Sequence, residues 1–243
     1  MIFYRVLNNF YHLISNKTKK ILIYKYFIHL LHMISVKYIM NESKSSLNFK
    51  KLVKNKKYKF TVNNIGQSID LLENLKKKLN GQKLNVLILG CFEGMTSIYF
   101  LNNFNIKKIH CVDIWDVDIY KKSKSKPNIF AESYFDKNLS RYKSYKKYRL
   151  STDDFFKKSM LDLFDIIYID ASHFYLDVAR DAFNADKKLK NNSYLIFNSI
   201  LWRSPKKNKK SNLAGINIFL KKKYQNYDLI SISANLLILK KTI

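Results

Sequence analysis

One strand–turn–helix–strand segment, Leu84 to Asp113, constrains the fold of this chain more than any other stretch. Its first part, Leu84–Leu89, is a short apolar run of the length and composition typical of a strand buried on both faces. The run ends at Gly90-Cys91-Phe92-Glu93-Gly94, where two glycines let the backbone approach a ligand closely. A helix is predicted from Thr96, with its N-terminal amides directed at the turn. A second apolar strand, 108–112, then brings Asp113 to its carboxyl end, so the segment predicts a βαβ unit with a ligand site.

The spacing of the turn discriminates between possible nucleotide ligands. A dinucleotide site needs glycine at the first, third and sixth positions of the turn, and here these are Gly90, Phe92 and Met95. A pyrophosphate would therefore meet side chains where it needs bare backbone. A smaller ligand without phosphates, of which S-adenosylmethionine is the common one, is easier to fit. The alternative is a helix-start turn that binds no ligand.

The remaining chain alternates predicted strands and helices and then closes with a hairpin. Strands are predicted at 145–150, 164–169, 193–197, 227–232 and 236–240, with helices at 65–79, 96–104, 129–139, 154–160, 174–189 and 213–223. This order predicts an α/β fold, a doubly wound, Rossmann-like sheet of seven strands that is mostly parallel and ends in an antiparallel hairpin.

The chain is predicted to have a domain at 61–243 that follows an N-terminal helical, basic extension and linker at 1–60. Apolar residues recur at helical spacing in the extension, and two interpretations remain open for it. It packs on the domain or on a second copy of the chain, which would make the protein a homo-oligomer. Alternatively, residues 1–40 lie on a membrane surface as a basic, aromatic segment.

The charge of the chain is far from balanced. It has 45 Lys and Arg against 18 Asp and Glu, a formal net charge of +27. Most of the excess is Lys in a chain rich in Asn, Ile, Tyr and Phe, which is the bias of an AT-rich genome, but a nucleic-acid partner remains an alternative. The two cysteines, Cys91 and Cys111, show neither metal-binding nor disulfide spacing, and no apolar run is long enough to span a membrane. We therefore expect a cytoplasmic protein, with peripheral membrane contact as the alternative.

Polar residues collect where the predicted strands end. The ends carry 90–94, Asp113, 151–153, 170–173 and 198–202, whereas the strands that lead into them are nearly all apolar. In doubly wound sheets the ligand lies at the carboxyl ends of the strands. Five polar ends in succession therefore predict a ligand site there.

Three sequence stretches carry a resemblance to a known family. They are VLILGCFEGMTSIYFL, IHCVDIW and FDIIYIDASHFYLDVARDAFNADKKLK. The chain resembles the class I S-adenosylmethionine-dependent methyltransferases over about 61–243. The nearest group has a Gly-x-Phe/Tyr-Glu-Gly turn and an Ile-Asp-Gly-Ser-His-x-Tyr motif, and it includes many small-molecule and sugar O-methyltransferases. The resemblance implies S-adenosylmethionine as cofactor and a small-molecule or saccharide hydroxyl as acceptor.

The resemblance also implies roles for individual residues. The turn from Gly90 to Gly94 (Gly90, Cys91, Phe92, Glu93, Gly94) would wrap the methionine part of the cofactor, with Thr96 near its carboxylate. Asp113 would bind the ribose hydroxyls, and Asp170 and His173 would lie beside the transferred methyl group. The adenine would be flanked by Ile114 and Trp115, with Thr152 and Asp153 near its edge. The acceptor would lie over the 170–173 and 198–203 ends, where Asn198, Trp202 and Arg203 are candidate substrate residues.

Several positions depart from the family pattern. An acidic pair that helps to hold Mg²⁺ in some relatives is Asn198-Ser199 here, and because Mg²⁺ prefers anionic oxygens we predict no tightly bound metal. His173 is the candidate general base, and Asp170 is the alternative base or the group that orients it. His173 could also be a helix-start residue that only forms hydrogen bonds. Three classes remain open: a small-molecule or saccharide O-methyltransferase, which is favoured, a nucleic-acid methyltransferase, and a non-catalytic member that binds cofactor or only partners.

Overall fold

The structure of the protein is a computed structural model. It describes residues 48–49, 51–52, 54, 57–61, 65, 68–116, 129–158, 163–200, 212–233 and 235–243. The predictions for the extension before residue 48 and for Trp202 and Arg203 lie outside these residues.

The described chain forms two compact units, and the first of them comprises residues 42–161. Its elements follow one another as α1 (Ile69–Leu79), β1 (Leu84–Leu89), α2 (Met95–Asn103), β2 (Ile106–Asp113), α3 (Ala131–Leu139), β3 (Tyr145–Arg149) and α4 (Thr152–Lys158). Strand β2 pairs in parallel with β1 on one side and with β3 on the other. The side chains of β1 are almost all buried, as expected for a central strand covered on both faces.

The second unit is built from the described residues after position 162. It contains β4 (Phe164–Ile169), α5 (Tyr175–Lys188), β5 (Leu189–Asn198), α6 (Asn212–Lys223), a short 3₁₀ turn (Tyr224–Asn226), β6 (Tyr227–Ile232) and β7 (Leu236–Lys241). Strands β4 and β5 pair in parallel, whereas β7 pairs antiparallel with both β5 and β6. The predicted terminal hairpin is therefore confirmed.

All seven strands belong to one mixed sheet, so the predicted fold class is confirmed. Three of the strands that carry the polar ends, β1, β4 and β5, are largely buried and supply a large part of the core, whereas β3 is charged and only partly buried. Burial of these Leu, Ile and Phe side chains is the main favourable contribution to folding. No helix among the described residues combines the length and apolar character that a bilayer crossing requires.

Strand β5 is longer than the sequence predicted. It begins at Leu189, directly after α5, whereas the apolar run begins only at Ser193. Leu189 pairs with Phe164, and the register shifts before Ile166 pairs with Tyr194. Asn192 has φ +60, a left-handed conformation that asparagine tolerates better than most residues. The polar stretch therefore extends the strand through an irregularity in the pairing instead of forming a loop.

Candidate functional site

The glycine turn between β1 and α2 is tightly wound. Gly90, Phe92 and Gly94 all have positive φ, at 85°, 48° and 86°. The Gly94 amide donates to the Cys91 carbonyl at 2.8 Å, which closes the turn, and a Cβ at Gly94 would lie 2.4 Å from Leu139 Cδ1. Phe92 has a Cβ in the left-handed region, a strain of about 1–3 kcal/mol that is found mostly at functional sites.

Asp113 faces this turn from the end of β2. Its Oδ2 accepts hydrogen bonds from the backbone amides of Cys91 and Phe92, both at 2.8 Å, and its Oδ1 accepts one from the Trp115 amide at 2.9 Å. The structure therefore brings Asp113 and the turn together as the sequence predicted. The Asp113 carboxylate also stabilises the turn itself, through charge-assisted hydrogen bonds from the turn amides.

Ile114 and Trp115 differ sharply in exposure. Ile114 is 41% exposed, whereas Trp115 is 1% exposed, and its indole packs against Phe135 at 4.8 Å between ring centroids. The indole Nε1 donates to the Phe92 carbonyl at 2.9 Å, and the Lys147 ammonium lies 4.9 Å from the ring centroid. In this structure Trp115 is a core residue beneath the turn, so it does not offer the open ring surface expected of a residue that flanks adenine.

Glu93 is a buried member of the turn. Its carboxylate accepts hydrogen bonds from the Thr61 amide at 2.7 Å and from the Thr61 hydroxyl at 2.5 Å. The role implied for Glu93 by the resemblance was a contact with the cofactor. Its bonds in the structure instead attach the chain at residues 59–61, which we call the 59–61 strap, to the turn.

Asn138 supplies the other attachment of the 59–61 strap. Its Oδ1 accepts from the Lys59 amide at 2.7 Å, and its Nδ2 donates to the Lys59 carbonyl at 2.8 Å and to the Glu93 carbonyl at 2.9 Å. Asn138 was not among the predicted site residues. One signal was present, because Asn138 follows Ala131 and Phe135 on the apolar face of α3, where a polar side chain needs buried partners.

The other residues predicted for the cofactor lie at the starts of two helices of the same unit. Thr96 is buried in the first turn of α2, one residue after the helix begins. Thr152 and Asp153 lie in the first turn of α4, and the Ser151 hydroxyl caps that helix by accepting from the Asp154 amide at 3.1 Å. The Leu150 amide donates to the Asp113 carbonyl at 3.0 Å, so the segment before α4 lies close in space to the end of β2.

In the second unit, Asp170 and Asn198 meet at the carboxyl ends of β4 and β5. Asn198 Nδ2 donates to Asp170 Oδ2 at 2.9 Å, and Asn198 is buried. The pairing brings together a predicted catalytic residue and a predicted substrate residue. Among the described residues no cluster of three or more His, Cys, Asp or Glu side chains could hold a metal ion.

His173 contacts a residue that the sequence analysis did not select. Its Nδ1 lies 3.0 Å from Nδ2 of Asn212, the first residue of α6, and the same Nδ2 donates to the Ser199 carbonyl at 3.0 Å. Burial lowers the pKa of His173 from its ordinary value near 6.5 to about 4. The imidazole is therefore neutral at physiological pH, and the nitrogen basicity expected of a general base is weakened.

A family model for a methyltransferase domain matches residues 87–200, from β1 to just beyond β5. No curated protein is significantly similar to the chain in sequence.

Solved structures resemble the chain over most of its length. They include an O-methyltransferase from Bacillus cereus in complex with SAH, at 12% identity and a TM-score of 0.52, with 90% of this chain and 98% of that chain covered. The N-methyltransferase NodS from Bradyrhizobium japonicum with S-adenosyl-L-homocysteine has 14% identity and a TM-score of 0.50, with 82% and 99% covered. The O-methyltransferase TomG from Streptomyces achromogenes with SAM has 10% identity and a TM-score of 0.50, with 90% and 97% covered. The fold is that of the class I methyltransferases.

Proposed function

We propose that this protein is an S-adenosylmethionine-dependent methyltransferase that methylates a hydroxyl oxygen of a small molecule or saccharide. One observation carries the proposal: within the matched methyltransferase domain, the glycine turn closes on the carboxylate of Asp113. The structurally similar O-methyltransferases from Bacillus cereus and Streptomyces achromogenes were crystallised with SAH and SAM, respectively, which supports the choice of cofactor.

The residues of the first unit fit such a cofactor. A carboxylate can accept about four hydrogen bonds, so one ribose hydroxyl could join the three amides that already bond to Asp113. Phe92 and the two glycines take left-handed backbone conformations that wind the turn tightly beside Asp113, and a Cβ at Gly94 would collide with Leu139. Ile114 is exposed beside Asp113 and provides apolar surface for the adenine base, a role that we no longer assign to Trp115.

The reaction requires little covalent chemistry from the protein itself. When bound, the cofactor supplies a methyl group carried on a sulfonium. On transfer the carbon–sulfur bond breaks, and its electron pair remains on sulfur. The chain must align the acceptor and take the proton of its hydroxyl group. We assign proton removal to the Asp170 carboxylate, because the Asn198 amide donates to it and so holds it in place, whereas Nδ1 of His173 is already engaged by the Asn212 amide. Asn198 remains a candidate substrate residue, and Trp202 and Arg203 remain predictions.

A methyl-incorporation panel tests this function. The purified protein is incubated with S-adenosylmethionine carrying a labelled methyl group and with saccharides, hydroxylated metabolites, RNA and DNA in separate reactions. We expect label in at least one saccharide or small-molecule hydroxyl and loss of at least 100-fold in rate for Asp170→Asn. Incorporation only into RNA or DNA would favour the nucleic-acid alternative that the charge suggests. Cofactor binding without any incorporation, with the native acceptor class present, would favour a non-catalytic protein.

A further inference from the structure

The Ser199 carbonyl orients the side-chain amide of Asn212. Nitrogen and oxygen of an asparagine side chain are distinguished by the hydrogen bonds that each can make. One end of this amide lies 3.0 Å from the Ser199 carbonyl oxygen, which can only accept. That end must therefore be the NH₂ group, since an oxygen there would face a second oxygen.

The same NH₂ group also faces the imidazole of His173. Asn212 Nδ2 lies 3.0 Å from His173 Nδ1, and Asn212 is buried at the start of α6. An NH₂ group has two hydrogens, so one bond to Ser199 and one to His173 use both. A donor directed at Nδ1 requires a lone pair there, so Nδ1 carries no proton. In a neutral imidazole the proton then resides on Nε2.

We infer that Asn212 is a positioning residue that fixes His173 in the Nε2–H tautomer, so that His173 donates a hydrogen bond to an oxygen of the methyl acceptor instead of removing its proton. This inference rests on the proposed function for the identity of the ligand. The tautomer itself follows from the contacts of the Asn212 amide with Ser199 and His173.

Two further observations agree with a donor role. The pKa of His173 is lowered to about 4 by burial, so the protonated ring is disfavoured over the whole neutral range. Ser199 has φ +53, a left-handed conformation that is costly for serine, and its carbonyl is the group that fixes the orientation of the Asn212 amide. Strain of this kind persists where the surrounding structure requires one particular geometry.

The first measurement is the tautomer in the unmodified protein. Two-bond ¹H–¹⁵N correlation spectra of the protein with ¹⁵N-labelled histidine report which ring nitrogen is protonated. His173→Gln identifies the His173 signals among those of the five histidines. We expect a protonated Nε2 and a bare Nδ1 between about pH 6 and pH 8. A proton on Nδ1 in that range would overturn the inference.

The second measurement changes the positioning residue. In Asn212→Asp a carboxylate replaces the amide, so it favours a proton on Nδ1 and raises the pKa of His173 by at least one unit. We expect the tautomer to shift and kcat to fall by tenfold or more, while Asn212→Ala gives a mixed tautomer and a smaller loss. Asn226→Asp adds the same charge beyond the opposite end of α6 and serves as the control. An unchanged His173 tautomer in both Asn212 variants would overturn the assigned role.

Cofactor binding separates failure of this inference from failure of the proposed function. The Kd of S-adenosylhomocysteine, measured by calorimetry, should differ by less than twofold between the unmodified protein and Asn212→Asp. If the tautomer is as expected but neither cofactor nor methyl transfer is detected in the unmodified protein, the proposed function is wrong and the donor role toward a methyl acceptor is withdrawn with it. If methyl transfer occurs and the tautomer is reversed, only the present inference is wrong.

Discussion

Gly215 and Gly81 illustrate how differently two glycines can contribute to stability. A Cβ at Gly215, inside α6, would lie 2.1 Å from the Tyr175 carbonyl oxygen at the start of α5, whereas a Cβ at Gly81 would have no heavy atom within 4 Å. Gly215 thus permits close packing of two helix backbones. Gly81 only allows a turn in which the backbone has a positive φ of +74.

Gly215→Ala should therefore destabilise the protein much more than Gly81→Ala. We expect a loss of free energy of unfolding of about 2–4 kcal/mol for the first, since the helices must separate, and about 1 kcal/mol for the second. Urea denaturation of both variants measures the difference. Equal losses would show that α5 and α6 are not packed as closely as described.

Trp115 shows what the sequence cannot reveal at the scale of one residue. The motif Asp113-Ile114-Trp115 correctly marked the end of β2, but the two apolar residues were expected to act alike. The left-handed conformation of Trp115, with φ +42, turns its ring into the core, where Phe135 and Lys147 cover it. The direction of a side chain after a strand depends on contacts that are distant in sequence, and no local pattern encodes it.

At the scale of elements, the glycine turn is held from two sides. Asp113 bonds to its amides from β2, and the 59–61 strap is attached to it through Glu93 and Asn138. The turn therefore depends on α3 as well as on the strands that flank it. Buried polar groups linked in this way lose more than one bond when a single member is removed.

Asn138→Ala should weaken both the fold and cofactor binding. The variant leaves the Lys59 amide and the Lys59 and Glu93 carbonyls without their partner, so we expect a loss of about 2–3 kcal/mol in the free energy of unfolding. The Kd for S-adenosylhomocysteine should rise at least fivefold. Asn105→Ala, which removes an exposed amide bonded to the Gly81 carbonyl, is the matched control and should change neither quantity appreciably.

A stable Asn138→Ala variant with unchanged cofactor affinity would contradict this view of the strap. A stable variant with weakened affinity would instead show that the contacts matter for the turn alone. Thr61→Val gives an independent check, since it removes only the hydroxyl that donates to Glu93 and leaves the backbone amide in place.

The elements themselves were largely predictable, but the contacts between them were not. Strands β1 and β4 have the predicted bounds, because apolar runs of that length between turn residues have few alternatives. The bonds of Asn138 with Lys59 span 79 positions, and those of Asn212 with His173 span 39. Only the folded chain brings such pairs together, so these contacts cannot be predicted from a single sequence.

At the scale of the whole molecule, stability should depend on pH through groups whose pKa values differ between the folded and unfolded states. The pKa of His173 is about 4 in the fold against about 6.5 in the unfolded chain. Between these values the unfolded state binds more protons, so the stability is fully present above pH 6.5 and is lost as the pH falls toward 4.

Asp186 contributes a second loss at lower pH. Burial would raise its pKa, but the hydrogen bonds from Lys223 and Tyr227 and the charges of Lys241 and Lys223 outweigh burial and lower it. Lys223 Nζ lies 2.8 Å from Asp186 Oδ2, and the Tyr227 hydroxyl donates to Oδ1 at 2.8 Å. Because the folded pKa lies below the unfolded value, this stability is present above pH 4 and is lost below it.

We therefore expect the free energy of unfolding to fall as the pH is lowered from 6.5 to 4, with about 2–3 kcal/mol of the loss due to His173. Urea denaturation across this range measures the slope, and His173→Gln should remove that part of it while leaving the loss below pH 4 that Asp186 contributes. If His173→Gln has the same pH dependence as the unmodified protein, the imidazole is not held in its neutral form by burial.

The central claim is that a nucleoside cofactor binds at the glycine turn and Asp113, and calorimetric titration with S-adenosylhomocysteine tests it most directly. Asn at position 113 has a single oxygen, so an NH₂ group would face at least one of the amides that the carboxylate now accepts from. We predict saturable binding to the unmodified protein, at least tenfold weaker binding to Asp113→Asn, and unchanged binding to Asp228→Asn, an exposed aspartate on β6. Absence of binding to the folded, unmodified protein, or equal affinity of all three, would contradict the claim.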